Sequence, residues 1–380
     1  MLDKKKVAIL TIHNVDNYGA ILQTFSVFNY IKFNFDPIII NYKNPMFEPS
    51  LKLIRYGGLS SFKSCIKDII RLKSRFIFIK KFKEFIKQNL KLTNQVSREE
   101  LNSSNFLNNF DILLVGSDQV WNPNITNLSK KLNSDYFFNS HISKKIKKVS
   151  YASSFGGKIF TSDELEKVNF YLESFDKISV REKNTLRYLN YLNKQKADYV
   201  LDPVFLTDKI IWQQMAKLSD NYSDLENTKY ILVYSVVRSK LIKKITDKLK
   251  KITNFKIITI DPNLVSNTTY YKKISNAGPL DFLKLFDNAS VVVTDSFHGT
   301  SFSLILDKIF FSAVSEKVYA NRISDLLKNI RSEKNIITDV PMIDKLDEIK
   351  YFSVSRESKI ELNKLIIKSK KFLNESLNLD

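Results

Sequence analysis

The sequence predicts an α/β protein built as two doubly wound parallel-sheet domains facing each other across a cleft, followed by a C-terminal helix. Three observations lead there. Short β-rich apolar runs alternate with amphipathic helical stretches along the 380 residues, the pattern of βαβ units with right-handed crossovers. Several runs are continuous rather than alternating, Ile38-Ile39-Ile40 and Val291-Val292-Val293 among them, which suits strands buried on both faces. The alternation passes through the chain twice, and a polar stretch at 218–228 reads as the linker between the passes.

Taken in order, the first pass places strands at 6–12, 37–41, 111–115, 148–152, 177–180 and 199–201, with helices at 20–31, 163–174 and 182–192. The second places strands at 230–236, 255–260, 290–294 and 309–314, with helices at 241–252, 280–287 and 319–330. The domains are therefore expected at 1–205 and 206–354, with an amphipathic helix at 355–380. One segment, 51–93, breaks the alternation as a helical insertion in the first domain. It carries twelve basic residues against two acids, Asp68 and Glu84. Its apolar residues, including Phe62, Ile66, Ile69, Ile70, Phe76 and Phe82, recur at helical spacing. That face reads either as packing on the first domain under a solvated lysine face, or as contact with an anionic membrane or lipid-linked substrate.

Composition narrows the function. At 43% hydrophobic and 26% charged the chain is an ordinary globular one rather than a disordered one. One cysteine, Cys65, excludes a disulfide-stapled secreted fold. No apolar run reaches the ~18 residues of a membrane span, and the N-terminal apolar stretch at 7–12 is too short for a signal-peptide core. A cytoplasmic protein is expected, with the inner face of the membrane as a candidate site of peripheral contact. The net charge of +20 comes from 60 Lys and Arg, of which Arg supplies only ten. Base-reading proteins favour the arginine fork, so no nucleic-acid partner is expected and the charge reads as a solvated or membrane-proximal surface.

Ligands of doubly wound sheets sit beyond the carboxyl ends of strands, and four such ends are rich in polar residues. No dinucleotide or P-loop glycine motif, H-E-x-x-H, Cys/His cluster or D-x-D pair occurs, so metal-free chemistry is expected, with no cofactor. Asn17-Tyr18-Gly19 follows the first strand; it offers a helix N-terminus for an anion, or a turn capped by Asn17. Gly116-Ser117-Asp118-Gln119-Val120-Trp121 gathers polar groups directly after a strand, with Trp121 more typical of packing. Arg181 ends the 177–180 strand, where it can grip a carboxylate or phosphate, or pair with Glu182. The fourth end, Thr294-Asp295-Ser296-Phe297-His298-Gly299-Thr300, sets a histidine beside a glycine at the start of a helix. That position suits a general acid or base.

In chain order, Asn17-Tyr18-Gly19-Ala20-x-Leu22-Gln23, Gly116 to Pro123, Ser150-Tyr151-Ala152-Ser153-Ser154-Phe155-Gly156, Ser179-Val180-Arg181-Glu182, Leu201-Asp202-Pro203-Val204-Phe205 and Thr294 to Thr300 resemble the polysaccharide pyruvyl transferase family. The resemblance implies two Rossmann-like domains similar to the GT-B glycosyltransferase architecture. It implies transfer of pyruvate from phosphoenolpyruvate to two hydroxyls of a sugar as a ketal, in cytoplasmic synthesis of a cell-envelope polysaccharide. The acceptor is a sugar or lipid-linked oligosaccharide. His298 and Asp295 are then the expected catalytic residues, with Arg181, Ser296, Gly299, Thr300 and Arg322 on the donor and Asn17, Tyr18, Gly19, Ser117, Asp118 and Gln119 on the acceptor. In many members an arginine stands two residues before the histidine; here that position is Ser296, and Arg322 is the candidate replacement. The alternative is a GT-B-like glycosyltransferase using a nucleotide-sugar donor.

Overall fold

A computed structural model describes residues 4–55, 62–139, 143, 145–192, 197–263, 270–314, 320–344, 346 and 349–378. The chain forms two compact units. The first comprises Met1–Cys65, Ile86–Thr207 and Leu365–Asp380; the second comprises Ile66–Phe85 and Asp208–Lys364.

The first unit holds strands β1 (Lys6–Leu10), β2 (Asp36–Ile39), β3 (Ile112–Val115), β4 (Lys147–Ser153), β5 (Lys177–Val180) and β6 (Ala197–Tyr199) in the order β2-β1-β3-β4-β5-β6. Every pairing is parallel; between β1 and β3, for example, Val7 lies opposite Ile112 and Ala8 opposite Leu113. The four residues of β3 are all buried, which is why its run is uninterruptedly apolar. The strand order reverses between β1 and β3, so the loops after these two strands diverge and open the crevice where such sheets bind ligands.

The second unit repeats the plan with β7 (Tyr230–Tyr234), β8 (Lys256–Ile260), β9 (Lys272–Ile274), β10 (Val291–Thr294), β11 (Ile309–Ala313) and β12 (Ile336–Ile337), ordered β12-β11-β10-β7-β8-β9 and again parallel. Here the order reverses between β7 and β10. The two edge strands β9 and β12, three and two residues long, are absent from the sequence expectation because neither run is long enough to show a period. Ile231, Val233, Val291, Val293 and Phe311 form the core with Ile242, Ile245 and Leu249 of the helix Lys240–Thr253.

Three boundaries differ from expectation. The stretch at 218–228 packs within the second unit, where Ser219 Oγ and Asn221 Nδ2 both donate to Asp281 Oδ1, at 2.5 and 3.0 Å; the units divide at 207/208, against the expected 205/206. Residues 66–85 of the basic insertion belong to the second unit. Lys81 Nζ lies 2.6 Å from the buried Asp281 carboxylate and Ser74 Oγ is 2.6 Å from Ser275 Oγ. The C-terminal helix, Arg356–Leu377, begins in the second unit, where Ser358 Oγ donates to Arg331 O at 3.0 Å. It finishes in the first, where Ser369 Oγ accepts the Leu201 N–H at 2.9 Å.

Candidate active site

In the second unit the helix Phe297–Ile305 follows β10 at the reversal point. Ser296 is its N-cap, and Ser296 Oγ accepts the Gly299 N–H at 3.3 Å. The serine that stands where many family members carry arginine therefore has a defined local task, satisfying a first-turn amide. Thr294 Oγ1 donates to Tyr234 O at 2.6 Å and accepts from Ser296 N at 3.1 Å, tying the β10 end to β7. A Cβ on Gly299 would lie 2.3 Å from Thr294 Oγ1 and 3.1 Å from Tyr234 Cδ1. Glycine is what lets this helix approach the sheet so closely. Thr300 is buried, with its hydroxyl on Ser296 O and 2.8 Å from Ser312 Oγ, so it and Gly299 shape this turn.

His298 occupies the first turn of this helix, half-buried, with its ring 5.4 Å from that of Phe297 in an edge-to-face pair. The Arg322 guanidinium sits 5.8 Å from the Phe297 ring centroid, in cation–π range. The helix following β11 thus brings Arg322 beside the very turn that carries His298, where a positive charge and the positive end of the helix dipole coincide.

Asp295 organises the loop after β7. Its Oδ1 accepts the N–H groups of Val236 and Val237 at 2.7 and 3.2 Å; its Oδ2 accepts Ser235 Oγ and Ser239 N at 2.7 and 3.0 Å. The carboxylate is buried and folds the loop after β7 around itself. That loop presents Arg238, held at φ 60 with its amide on Ser235 Oγ and its guanidinium 3.6 Å from Asp261 Oδ1. Sequence reading missed Arg238. An arginine in the loop beyond a strand carries no signal until Asp295 is known to bend that loop.

In the first unit the motif residues build scaffold. Asn17 caps the helix Tyr18–Ile31, accepting the Ala20 N–H at 3.2 Å, and Tyr18 and Gly19 are buried in that helix. Ser117 is wholly buried with its hydroxyl on Ala152 O at 2.9 Å. Gln119 Oε1 accepts from Asn122 Nδ2 at 2.7 Å. Trp121 stacks on Phe137 at 5.2 Å and donates to Tyr136 O, a packing role. Arg181 is buried, with Nη1 2.5 Å from Asp202 Oδ2, Nη2 2.9 Å from Asp118 Oδ1 and Nε 3.6 Å from Glu182 Oε1. Burial alone would weaken its hold on a proton, but these three carboxylates outweigh it and raise its pKa. Its charge is shared among these acids of the first unit, Asp118 among them.

The acceptor-side expectation missed a cavity of about 380 Å³ in the first unit, lined by Tyr42, Asn44, Arg98, Asn127, Asn133 and Asp135 among others. Tyr42 and Asn44 come just after β2. The Tyr42 hydroxyl donates to Asp135 Oδ2 at 2.5 Å, and Arg98 Nε lies 3.1 Å from Asp135 Oδ1. His13 is buried, 3.4 Å from Asn41 Oδ1, and burial holds its pKa below the usual value; His141 lies outside the described residues. Among the described residues no group of three or more His, Cys, Asp or Glu side chains is arranged to hold a metal ion, and no helix is long and apolar enough to cross a membrane.

Several solved structures share this chain course. HepE from Anabaena, in complex with UDP and glucose, is 8% identical, with a TM-score of 0.54, covering 99% of this chain and 100% of its own. UDP-GlcNAc 2-epimerase from Neisseria meningitidis, bound to UDP-GlcNAc, is 12% identical, with a TM-score of 0.52 over 99% of this chain and 100% of its own. MnaA of S. aureus, with UDP, is 12% identical, with a TM-score of 0.52 over 98% and 97%. Such identities establish the fold alone, the two-domain α/β architecture of GT-B enzymes. No curated protein matches in sequence. The family model described as polysaccharide pyruvyl transferase, however, matches residues 17–316. That span runs from the cap of the first helix through β10, His298 and β11, and on it the chain belongs to the polysaccharide pyruvyl transferase family of transferases in polysaccharide biosynthesis.

Proposed function

We propose that the protein transfers pyruvate from phosphoenolpyruvate to two hydroxyls of a surface-polysaccharide sugar, forming a cyclic ketal. The observation that carries this reading is the placement of His298 on the first helical turn after β10, with Arg322 stacked on the neighbouring Phe297. The donor carries a carboxylate and a phosphate. Arg322, Arg238 and the positive end of the helix Phe297–Ile305 supply the complementary charge. They take over the task first expected of Arg181.

His298 delivers a proton to the methylene carbon of the donor, turning it into a methyl group, while an acceptor hydroxyl bonds to the adjacent carbon. The hydroxyl's proton returns to His298. Phosphate then departs, taking with it the proton of the second hydroxyl as that oxygen closes the ketal. Protons balance without any further reactant. The polar cavity beside Tyr42, with amide, carboxylate and guanidinium groups around an aromatic wall, suits a sugar ring of the acceptor.

Incubating ¹³C-labelled phosphoenolpyruvate with a panel of glycosides tests the reading. Wild type is expected to transfer the label as a ketal and release phosphate. His298→Gln is expected to lower turnover by about 100-fold or more, as for loss of a general acid, with an unchanged melting temperature. Arg98→Ala is expected to raise the acceptor KM and leave the donor KM alone. The second reading, a nucleotide-sugar glycosyltransferase, is favoured by Ser296 serving as a helix cap where an arginine would add charge; label transfer from a UDP-sugar and none from phosphoenolpyruvate would establish it instead.

A further inference from the structure

Residues 66–76 run from the end of the helix Phe62–Ile70 into the start of the helix Leu72–Asn89, and large apolar side chains there face solvent while an ion-pair cluster is packed beneath. Three charged groups lie on the packed side: Asp68 and Arg75 are buried, and Arg71 Nη2 lies 2.9 Å from Asp68 Oδ1 with Arg75 Nε 3.6 Å away. The large apolar side chains point outward. Ile66, Ile69, Ile70, Leu72 and Phe76 are each between 43% and 64% exposed. Phe78, Ile79, Phe82 and Phe85, further along the same polypeptide, are buried in the ordinary way. The packing face is therefore supplied by the later residues, and the stripe at 66–76 is left over. An exposed cluster of this size needs an occupant.

Charge identifies the occupant. Exposed Lys67, Lys73, Lys80 and Lys83 surround the stripe, and the one exposed acid in 66–85, Glu84, lies 3.8 Å from Lys80. We propose that this stripe inserts into the interfacial layer of an anionic phospholipid membrane, with the lysines on the headgroups and the isoleucines and Phe76 among the upper acyl carbons. An apolar helical face fringed by exposed lysines suits a lipid layer, where each cation meets a headgroup and the apolar side chains meet acyl carbons. Lys81 takes no part, since its ammonium is held by Asp281. The inference is independent of the donor chemistry and is read without substrate.

The full chain is tested by sedimentation with vesicles. Binding is expected to phosphatidylglycerol-containing vesicles at low salt, weakening at high salt, and not to phosphatidylcholine alone. Ile70→Ser with Phe76→Ser is expected to lower affinity by more than about tenfold through lost apolar burial, and Lys67→Glu with Lys73→Glu by about tenfold or more. Neither pair should shift the melting temperature, because all four side chains are exposed. Phe76→Trp supplies a depth probe, because the native Trp121 and Trp212 are both buried. Quenching of the new fluorescence by brominated acyl chains supports insertion. Absent vesicle binding at low salt, binding without quenching, or a self-association in solution that Phe76→Ser abolishes would each overturn the proposal, the last by assigning the stripe to a second copy of the chain.

Discussion

Replacing Asp295 by alanine removes the acceptor of four hydrogen bonds at 2.7–3.2 Å, three from backbone amides and one from Ser235 Oγ. An unsatisfied buried donor costs about 1–3 kcal/mol. The loop at 235–239 is half-exposed, so water replaces part of what is lost and the low end applies, giving about 2–4 kcal/mol in all. For a unit of this size that corresponds to a fall in Tm of roughly 5–15 °C. Asparagine keeps one oxygen for the Val236 and Val237 amides but turns an NH₂ toward the Ser239 N–H, so about half of the loss is expected. Thermal unfolding followed by circular dichroism gives these numbers. Steady-state kinetics should add a raised donor KM, because the loop that loosens carries Arg238. If Asp295→Ala leaves Tm within a degree or two of wild type while abolishing turnover, the carboxylate acts on substrate and its role as the organiser of the β7 loop is wrong.

Arg181→Ala strands the buried carboxylates of Asp202 and Glu182 and the partly exposed one of Asp118 and should cost about 3–5 kcal/mol in urea unfolding; an intact fold with only a raised donor KM would support a donor contact for Arg181. Gly299→Ala forces a Cβ to 2.3 Å from Thr294 Oγ1 and should cost about 1–3 kcal/mol through displacement of the His298 helix, with kcat falling alongside stability. Burial holds the His13 pKa below its ordinary 6.5 despite its bonds to Thr11 and Asn41. The unfolded chain therefore takes up the proton first as pH falls below 6.5, and the stability present above that value is lost on acidification, by at most about 1.4 kcal/mol per pH unit. His13→Gln should flatten that slope in pH-dependent denaturation.

What could be read from the sequence, and what could not, follows from the range of the forces involved. β3, β7 and β10 are buried on both faces, and burial on both faces leaves a local record, a continuous apolar run. The N-terminal position of His298 was equally local, set by a strand end, a cap and a glycine between Thr294 and Gly299. The partners of Asp295 lie 56 to 60 residues upstream, and two of the three partners of Arg181 lie 63 residues before it and 21 after. No local pattern distinguishes an arginine that grips a phosphate from one caged by three carboxylates. The apolar stripe at 66–76 shows the same limit in reverse: helical spacing reveals that a face exists, while which way it turns depends on Asp68 pairing with Arg71 and Arg75 and on Lys81 reaching Asp281.

Calorimetric titration with phosphoenolpyruvate and, separately, with UDP measures which donor the site was built for. Phosphoenolpyruvate is expected to bind wild type, to bind Arg322→Lys about tenfold or more weakly, since lysine cannot reproduce the planar two-point grip or the stack on Phe297, and to outlast UDP in competition. Tight binding of UDP with no heat from phosphoenolpyruvate, in wild type and Arg322→Lys alike, would contradict pyruvyl transfer by this protein.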